Sequence, residues 1–468
     1  MSTPIPQPPG VPLLGNIFDV DPKNTWASLK KLSEKYGEIF QIKVLGKTIV
    51  FVAGAALAEE LCDEKRFRKY VGGPIVEIRY AVHDSLFTAF EHEASWGVAH
   101  RIVAPKLTAQ AVAERFDDML GTTNELLAKW RGLGPDEAVS ALGELNRLNL
   151  EATTLALFGK KLDCLAGPAH PMLKGMEDST SEAIQRPNRP GFLNWLVFGG
   201  KFKRATAAMR AYASDVVEHR RNNPSDRKDL LAALVGAADP ESGQSLTDSQ
   251  VIDEIVTMPI GSSTAPGLVS TIVYLLLKNP HVIATARAEL DRVVGGTGGE
   301  LTYSHLSQLK YVEGIVREGL RLSFAAPGFN IEPVPREGGD KSPVLLAGGK
   351  YQVAHNQPMI LVLAGVNRDP SVFEDPLAFK PERMVGDKYE QLPVGVRRAY
   401  GNGKRECVGK HYAWLWNMVV VAKLIKEVDF AMADPSYELK QDGWFNLRPV
   451  DFYVKVKPRV TSSKAPEL

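Results

Sequence analysis

The chain has 468 residues, 44% of them hydrophobic and 24% charged, with a formal net charge of +1. This ordinary globular composition supplies ample core material, and its neutral balance excludes nucleic-acid binding through a general phosphate-seeking surface. Three widely spaced cysteines, Cys62, Cys164 and Cys407, rule out a disulfide framework or a CxxC metal site and fit a reducing, cytoplasmic setting.

The proline-rich opening MSTPIPQPPGVPLLGN is too short in apolar run for a signal peptide or membrane anchor, so a soluble protein is expected. TWASLKKLSEKYG then reads as an amphipathic helix stopping at Gly37. IFQIKVLGKTIVFVAG reads as two strands around a turn at Gly46. Helices are predicted over ALAEELCDEKRF and HEASWGVAHRIVAPKL, with loops near Gly72 and Pro74. The middle third is mostly helical, interrupted at RPNRPG. The longest element, residues 248–280, spans about 50 Å if helical throughout, and its apolar character predicts a buried central helix. VLLAGGKYQVAHNQPMILVLAGV is strand-like, and the tail RVTSSKAPEL has the polar look of a linker. The fold class is mainly α with smaller β-sheets (α+β).

RRAYGNGKRECVGK sets Cys407 between two glycines with cations and the apolar run VGKHYAWLWNMVVVAKLIKEV, a predicted buried helix. A thiol at a helix N-terminus feels the positive end of the dipole and free N–H groups, both favouring the thiolate. Gly401 and Gly403 let the loop approach a flat partner. One thiolate in a shaped loop suits a haem iron, which needs no second cysteine. Cys62 and Cys164 carry no such context and read as inert structural thiols.

On these residues the chain resembles the cytochrome P-450 family. YGNGKRECVG is similar to its haem-binding signature, REGLRL places Glu318 and Arg321 like its buried Glu-x-x-Arg pair, and FKPERM places Arg383 where the family completes that network. PIPQPPGVPLLGN, KYGEIF, CDEKRF, LFT at residues 86–88 and LLLKNPHV resemble in particular the haem domains of self-sufficient fatty-acid hydroxylases, fungal and bacterial, which carry a diflavin reductase on the same polypeptide. The resemblance implies that residues 1–458 form one haem-thiolate domain with a long central helix over haem b, and that residues 459–468 begin a linker. FMN, FAD and NADPH are then expected only on a reductase portion, and no nucleic acid or membrane anchor is involved.

By the same resemblance, Cys407 is the metal ligand, Thr264 and Ser263 are catalytic, and Lys69, Leu86, Trp96, His100, Gly261, Tyr400 and Arg405 hold the haem. Trp96 and His100, four apart, share a helix face and can both donate to a propionate. Tyr400 stands where the family has phenylalanine, and Ala399 where it has proline. The implied substrate wall comprises Lys47, Phe51, Pro74, Ile75, Val82, Phe87, Pro259, Ile260, Ala326, Gly328 and Phe445, suiting a long apolar acid or polyketide-like chain. Lys47 takes the subgroup's carboxylate-anchoring position, but the companion phenol is missing.

The central helix departs from the family pattern of a small residue, glycine, acid and threonine. Ile260 replaces the small residue and Ser263 the acid, whereas Gly261 and Thr264 match. A serine hydroxyl cannot relay protons as a carboxylate does, though it can hold a water. Pro259 and Pro266 each remove an N–H from the helical ladder. Two readings follow. In the first, a monooxygenase hydroxylates a long apolar chain with electrons from NADPH. In the second, a relative rearranges, dehydrates or uses peroxide without activating dioxygen.

Overall fold

The computed structural model describes residues 2–21, 24–44, 46–296, 298–443 and 445–459. The linker expected over 459–468 lies, from 460 on, outside them.

The first helix, Thr25–Tyr36, starts where the Asn24 side chain accepts from the Ala27 N–H and stops at Gly37, whose φ of 86° ends the ladder. The hairpin Ile39–Val44 with Lys47–Val52 follows as predicted, with Phe40 opposite Phe51 and their rings stacked 5.0 Å apart. Lys47–Val52 pairs in parallel with Met359–Val362, which continues antiparallel to Gly328–Pro333 and then Phe67–Lys69. One five-stranded sheet therefore brings residues 39–69 beside residues 328–362. The predicted helix over ALAEELCDEKRF ends early, at Glu60. The Asp63 side chain accepts from the Lys65 N–H, and its carbonyl from those of Arg66 and Phe67, a local turn that competes with helix. The expected loop at Pro74 instead opens the helix Pro74–Val82, because proline at the first position loses no hydrogen bond.

The helical body packs around the central element, which is two helices, Asp248–Ser262 and Thr264–Lys278, joined at Ser263. Its start carries the reciprocal bonds of a capping box between Thr247 and Gln250. Ala141–Phe158, Lys310–Ser323 and Lys410–Glu427 close over it, with Leu148, Ile272, Val316 and Trp416 fully buried between them. Residues 248–278 are long and apolar enough to cross a membrane, but two thirds of the most apolar window is buried inside the protein. That is how a core helix behaves. A small sheet, Ala138–Ser140, Tyr453–Pro458 and Val428–Met432, closes the far side.

Three residues stabilise the segment leading to the cysteine loop. Glu318 and Arg321 are buried and joined by two parallel bonds, Nε to Oε2 and Nη2 to Oε1, both 2.7 Å. Arg321 also donates to the carbonyls of Asn367, Pro376 and Ala378 at 3.0, 2.6 and 3.0 Å. Arg383 Nε stands 3.5 Å from Glu318 Oε1.

Candidate active site

A cavity of about 1540 Å³ lies between the central helix, the cysteine loop, the end of the large sheet and residues 69–100. It gathers residues far apart in sequence: Lys69, Leu86, Phe87, Trp96, His100, Ile260, Gly261, Thr264, Tyr400, Arg405 and Cys407 share its wall. Lys47, Phe51, Pro74, Ile75, Ala326, Gly328 and Phe445 line it as well. Two expected wall residues, Val82 and Pro259, and the expected catalytic Ser263 do not. Val82 ends its helix fully buried in the helical core, and Pro259 is buried on a face that does not reach the cavity. Ser263 is turned back on its own helix, donating to the Ile260 carbonyl at 2.7 Å, while Asn446 Nδ2 donates to the Ser263 carbonyl at 2.8 Å.

Cys407 sits before, not in, the helix Lys410–Glu427; its carbonyl accepts from the Lys410 N–H. The loop around it depends on glycine: Gly403 has φ +66°, and an added Cβ would lie 2.0 Å from the Glu64 carboxyl. The thiol opens onto the cavity. Burial pushes it up, against the Gly409 N–H that favours the thiolate. Tyr400, also pushed up by burial, remains a phenol and faces the Asn417 side chain, which acts in the opposite direction.

Positive charge collects at the opposite edge. Lys69 Nζ donates to the Phe87 carbonyl at 2.7 Å, and burial, then the neighbouring Arg405, hold its ammonium down to about 7. Arg405, its side chain 7% exposed, donates to the Ala89 carbonyl at 2.9 Å and has one carboxylate, Glu91, at 3.8 Å. Its guanidinium stacks 5.0 Å from the Trp96 ring, which in turn stacks on His100 at 4.9 Å. Burial, then Arg101 and Arg405, keep His100 neutral. Two cations with almost no carboxylate between them, beside two ring N–H donors, fit a group that brings its own carboxylates.

Beside Gly261 an added Cβ would meet nothing within 4 Å, leaving open space between the central helix and Cys407. Among the described residues no cluster of three or more His, Cys, Asp or Glu could hold a metal ion. A metal at Cys407 would have that one side chain as its ligand from such residues, and a single thiolate beside this donor set fits haem.

Sequence reasoning missed two features. Ser262 lines the cavity; its hydroxyl accepts from Asn149 Nδ2 at 2.9 Å and from Thr153 Oγ1 at 3.2 Å, and the Tyr412 hydroxyl donates to Thr153 at 3.3 Å. Nothing in the run SST separates Ser262 from Ser263. The other is Glu254, a buried acid on the apolar central helix, visible in sequence only as a charge beside Asp253.

A bifunctional cytochrome P450/NADPH–P450 reductase of Acremonium egyptiacum is 36% identical over 97% of this chain, which covers 43% of that protein. A self-sufficient cytochrome P450 monooxygenase of Phanerodontia chrysosporium is 34% identical over 98% of the chain, again covering 43% of the relative. A bifunctional enzyme of the same description from Gibberella moniliformis is 36% identical over 97% of the chain and 41% of its own length. The chain thus spans less than half of the curated relatives it matches. The family model for cytochrome P450 matches residues 5–456. With that match from end to end, over a cysteine loop, a charged edge and a broken central helix that together fit haem, the chain belongs to the cytochrome P450 family.

Proposed function

We propose that this chain is the haem-thiolate portion of a monooxygenase that hydroxylates a long apolar chain, a fatty acid or polyketide-like molecule. Electrons come from NADPH through FMN and FAD on a diflavin reductase, fused or separate. The setting is the cytoplasm, where its free thiols stay reduced. The observation that carries the reading is that Cys407 and the Thr264 hydroxyl open onto one cavity walled by Ile75, Phe87, Ile260 and Phe445. Haem bound through the Cys407 sulfur supplies the redox chemistry at dioxygen.

The chain's own residues do the rest. Lys69, Arg405, Trp96 and His100 hold and orient the carboxylate edge of the haem. Phe87 and Phe445, in edge-to-face contact at 5.8 Å, keep water from the reacting carbon. Among the described residues the Thr264 hydroxyl donates to the Gly261 carbonyl over a long 3.3 Å, a weak bond that it can exchange for a partner in the cavity. Lys47, exposed at the mouth, can meet a substrate carboxylate.

One observation favours the second reading, in which oxygenated substrates are rearranged or dehydrated, or peroxide is used. The position of the acid holds a neutral Ser263 whose hydroxyl is committed to its own helix. The haem-loaded chain joined to a diflavin reductase, given NADPH, long-chain acids and isotopically heavy dioxygen, separates the two. Heavy oxygen in the product supports hydroxylation. Product without it, or formed without NADPH, overturns it.

A further inference from the structure

Glu254 lies on the central helix, 1% exposed, with two oxygens in different circumstances. Oε1 accepts from the Leu86 N–H at 2.8 Å, across 168 residues of sequence. Oε2 is buried with no hydrogen-bond partner among the described residues. A buried carboxyl that uses one oxygen on a backbone amide and leaves the other unmatched is costly unless it is neutral or its position is required.

The amide it holds is well placed. Leu86 and Phe87 both line the cavity, and Phe87 meets Phe445 across it. The segment 83–88 has no regular structure of its own, so its shape depends on ties to neighbours. One turn after Glu254, the Thr257 hydroxyl donates to Ser85 Oγ at 3.0 Å. Within the segment, Thr88 Oγ1 donates to the His83 carbonyl at 2.6 Å. From the other side Lys69 Nζ takes the Phe87 carbonyl. Two consecutive turns of the central helix, Glu254 and Thr257, thus clamp the segment from which the Phe87 ring projects.

We infer that Glu254 is a positioning residue for substrate selection: its carboxyl fixes the Leu86 amide, and through it the place of the Phe87 ring over the substrate chain. Its consequence for product outcome rests on the hydroxylase reading; its grip on the segment does not. Glutamine keeps a neutral acceptor oxygen in the same volume, whereas leucine fills the space with no acceptor.

The test uses the haem-loaded chain. Hydrogen–deuterium exchange of the peptide carrying Leu86 is followed in the parent, Glu254→Gln and Glu254→Leu proteins, with no turnover involved. Loss of one hydrogen bond to a buried amide should speed its exchange about tenfold in Glu254→Leu and leave Glu254→Gln close to the parent. With the reductase joined, Glu254→Leu should change the ratio of hydroxylated positions along a long-chain acid about threefold or more, by the same lost bond. The change should vanish in a Phe87→Ala background, because there is no ring left to place. Unchanged exchange in Glu254→Leu overturns the clamp itself. Faster exchange with an unchanged product ratio, or a ratio that shifts equally without Phe87, overturns the selection role. Faster exchange with no hydroxylated product from any of the proteins counts instead against the hydroxylase reading.

Discussion

Replacing Glu318 by glutamine isolates the network beneath the cysteine loop. Glu318 takes two 2.7 Å bonds from Arg321 and a 3.0 Å bond from the Lys380 N–H, with Arg383 Nε at 3.5 Å. Glutamine keeps the volume and one acceptor, but turns an NH₂ toward a guanidinium and leaves two cations without a carboxylate. The Arg321 side chain is 2% exposed, so water cannot replace the lost partner. Breaking a buried pair from one side costs about 3–5 kcal/mol, whereas an exposed pair is worth about 0–1 kcal/mol. The assay is urea unfolding of the haem-loaded protein, followed by haem absorbance and far-ultraviolet dichroism. The variant should lose about 3 kcal/mol or more, and adding Arg321→Met should cost much less in the variant than in the parent, because the two share one interaction. A loss under about 1 kcal/mol, or full additivity with Arg321→Met, would refute the reasoning.

Three further outcomes follow from the same geometry. Lys69→Met removes a cation that has no carboxylate partner of its own among the described residues, so haem transfer to an acceptor globin should become about tenfold or more easier, as for one charge-assisted hydrogen bond; an unchanged transfer rate would mean Lys69 does not hold the haem edge. Gly403→Ala must accept φ +66° with its Cβ against Glu64; a strain of about 1–3 kcal/mol should appear as a lower thermal midpoint and a weaker thiolate signature in the reduced carbon-monoxide spectrum. Glu254, pushed up by burial to about 8 from 4.5, keeps a proton that the unfolded chain releases above its ordinary value, so its contribution to stability falls as pH rises from about 4.5 to about 8. Glu254→Gln lacks this dependence and should gain on the parent by roughly 4–5 kcal/mol across that window, with no further gain above it; parallel stability–pH curves would contradict a neutral Glu254.

The cysteine loop was legible in the sequence because its glycines, cation and thiol act through short-range backbone geometry, which spacing records directly. Glu318 and Arg321 were legible for a similar reason, since three residues apart on a helix puts them on one face. Their burial was implied by the resemblance, but the reach of Arg321 to three carbonyls was not legible, because those partners lie 46 to 57 positions away. Glu254 escaped for the opposite reason. An acid on a helix normally marks the solvated face, and only packing against residues 83–88 reveals that this one is sealed. Val82 was implied as a wall residue by the resemblance, but the helix that Pro74 opens carries it round into the core.

The central helix shows why the side chain at the acid position could not be aimed from sequence. Its two prolines are not equivalent. Pro266 is the third residue of Thr264–Lys278, where an N–H has no intrahelical partner to lose. Pro259 lies inside Asp248–Ser262 and takes the donor from the Ile255 carbonyl. The break falls between them, and three successive hydroxyls repair it. Ser262, Ser263 and Thr264 each donate to the carbonyl three residues back, on Pro259, Ile260 and Gly261, at 3.3, 2.7 and 3.3 Å. An ionised carboxylate at 263 could make no such bond, because it has no proton to give. The serine is therefore coupled to the prolines. Restoring the acid alone would leave the Ile260 carbonyl without its donor, so any gain in proton delivery would come with a looser break beside Thr264, and only an acid introduced together with replacement of Pro259 tests the chemistry by itself.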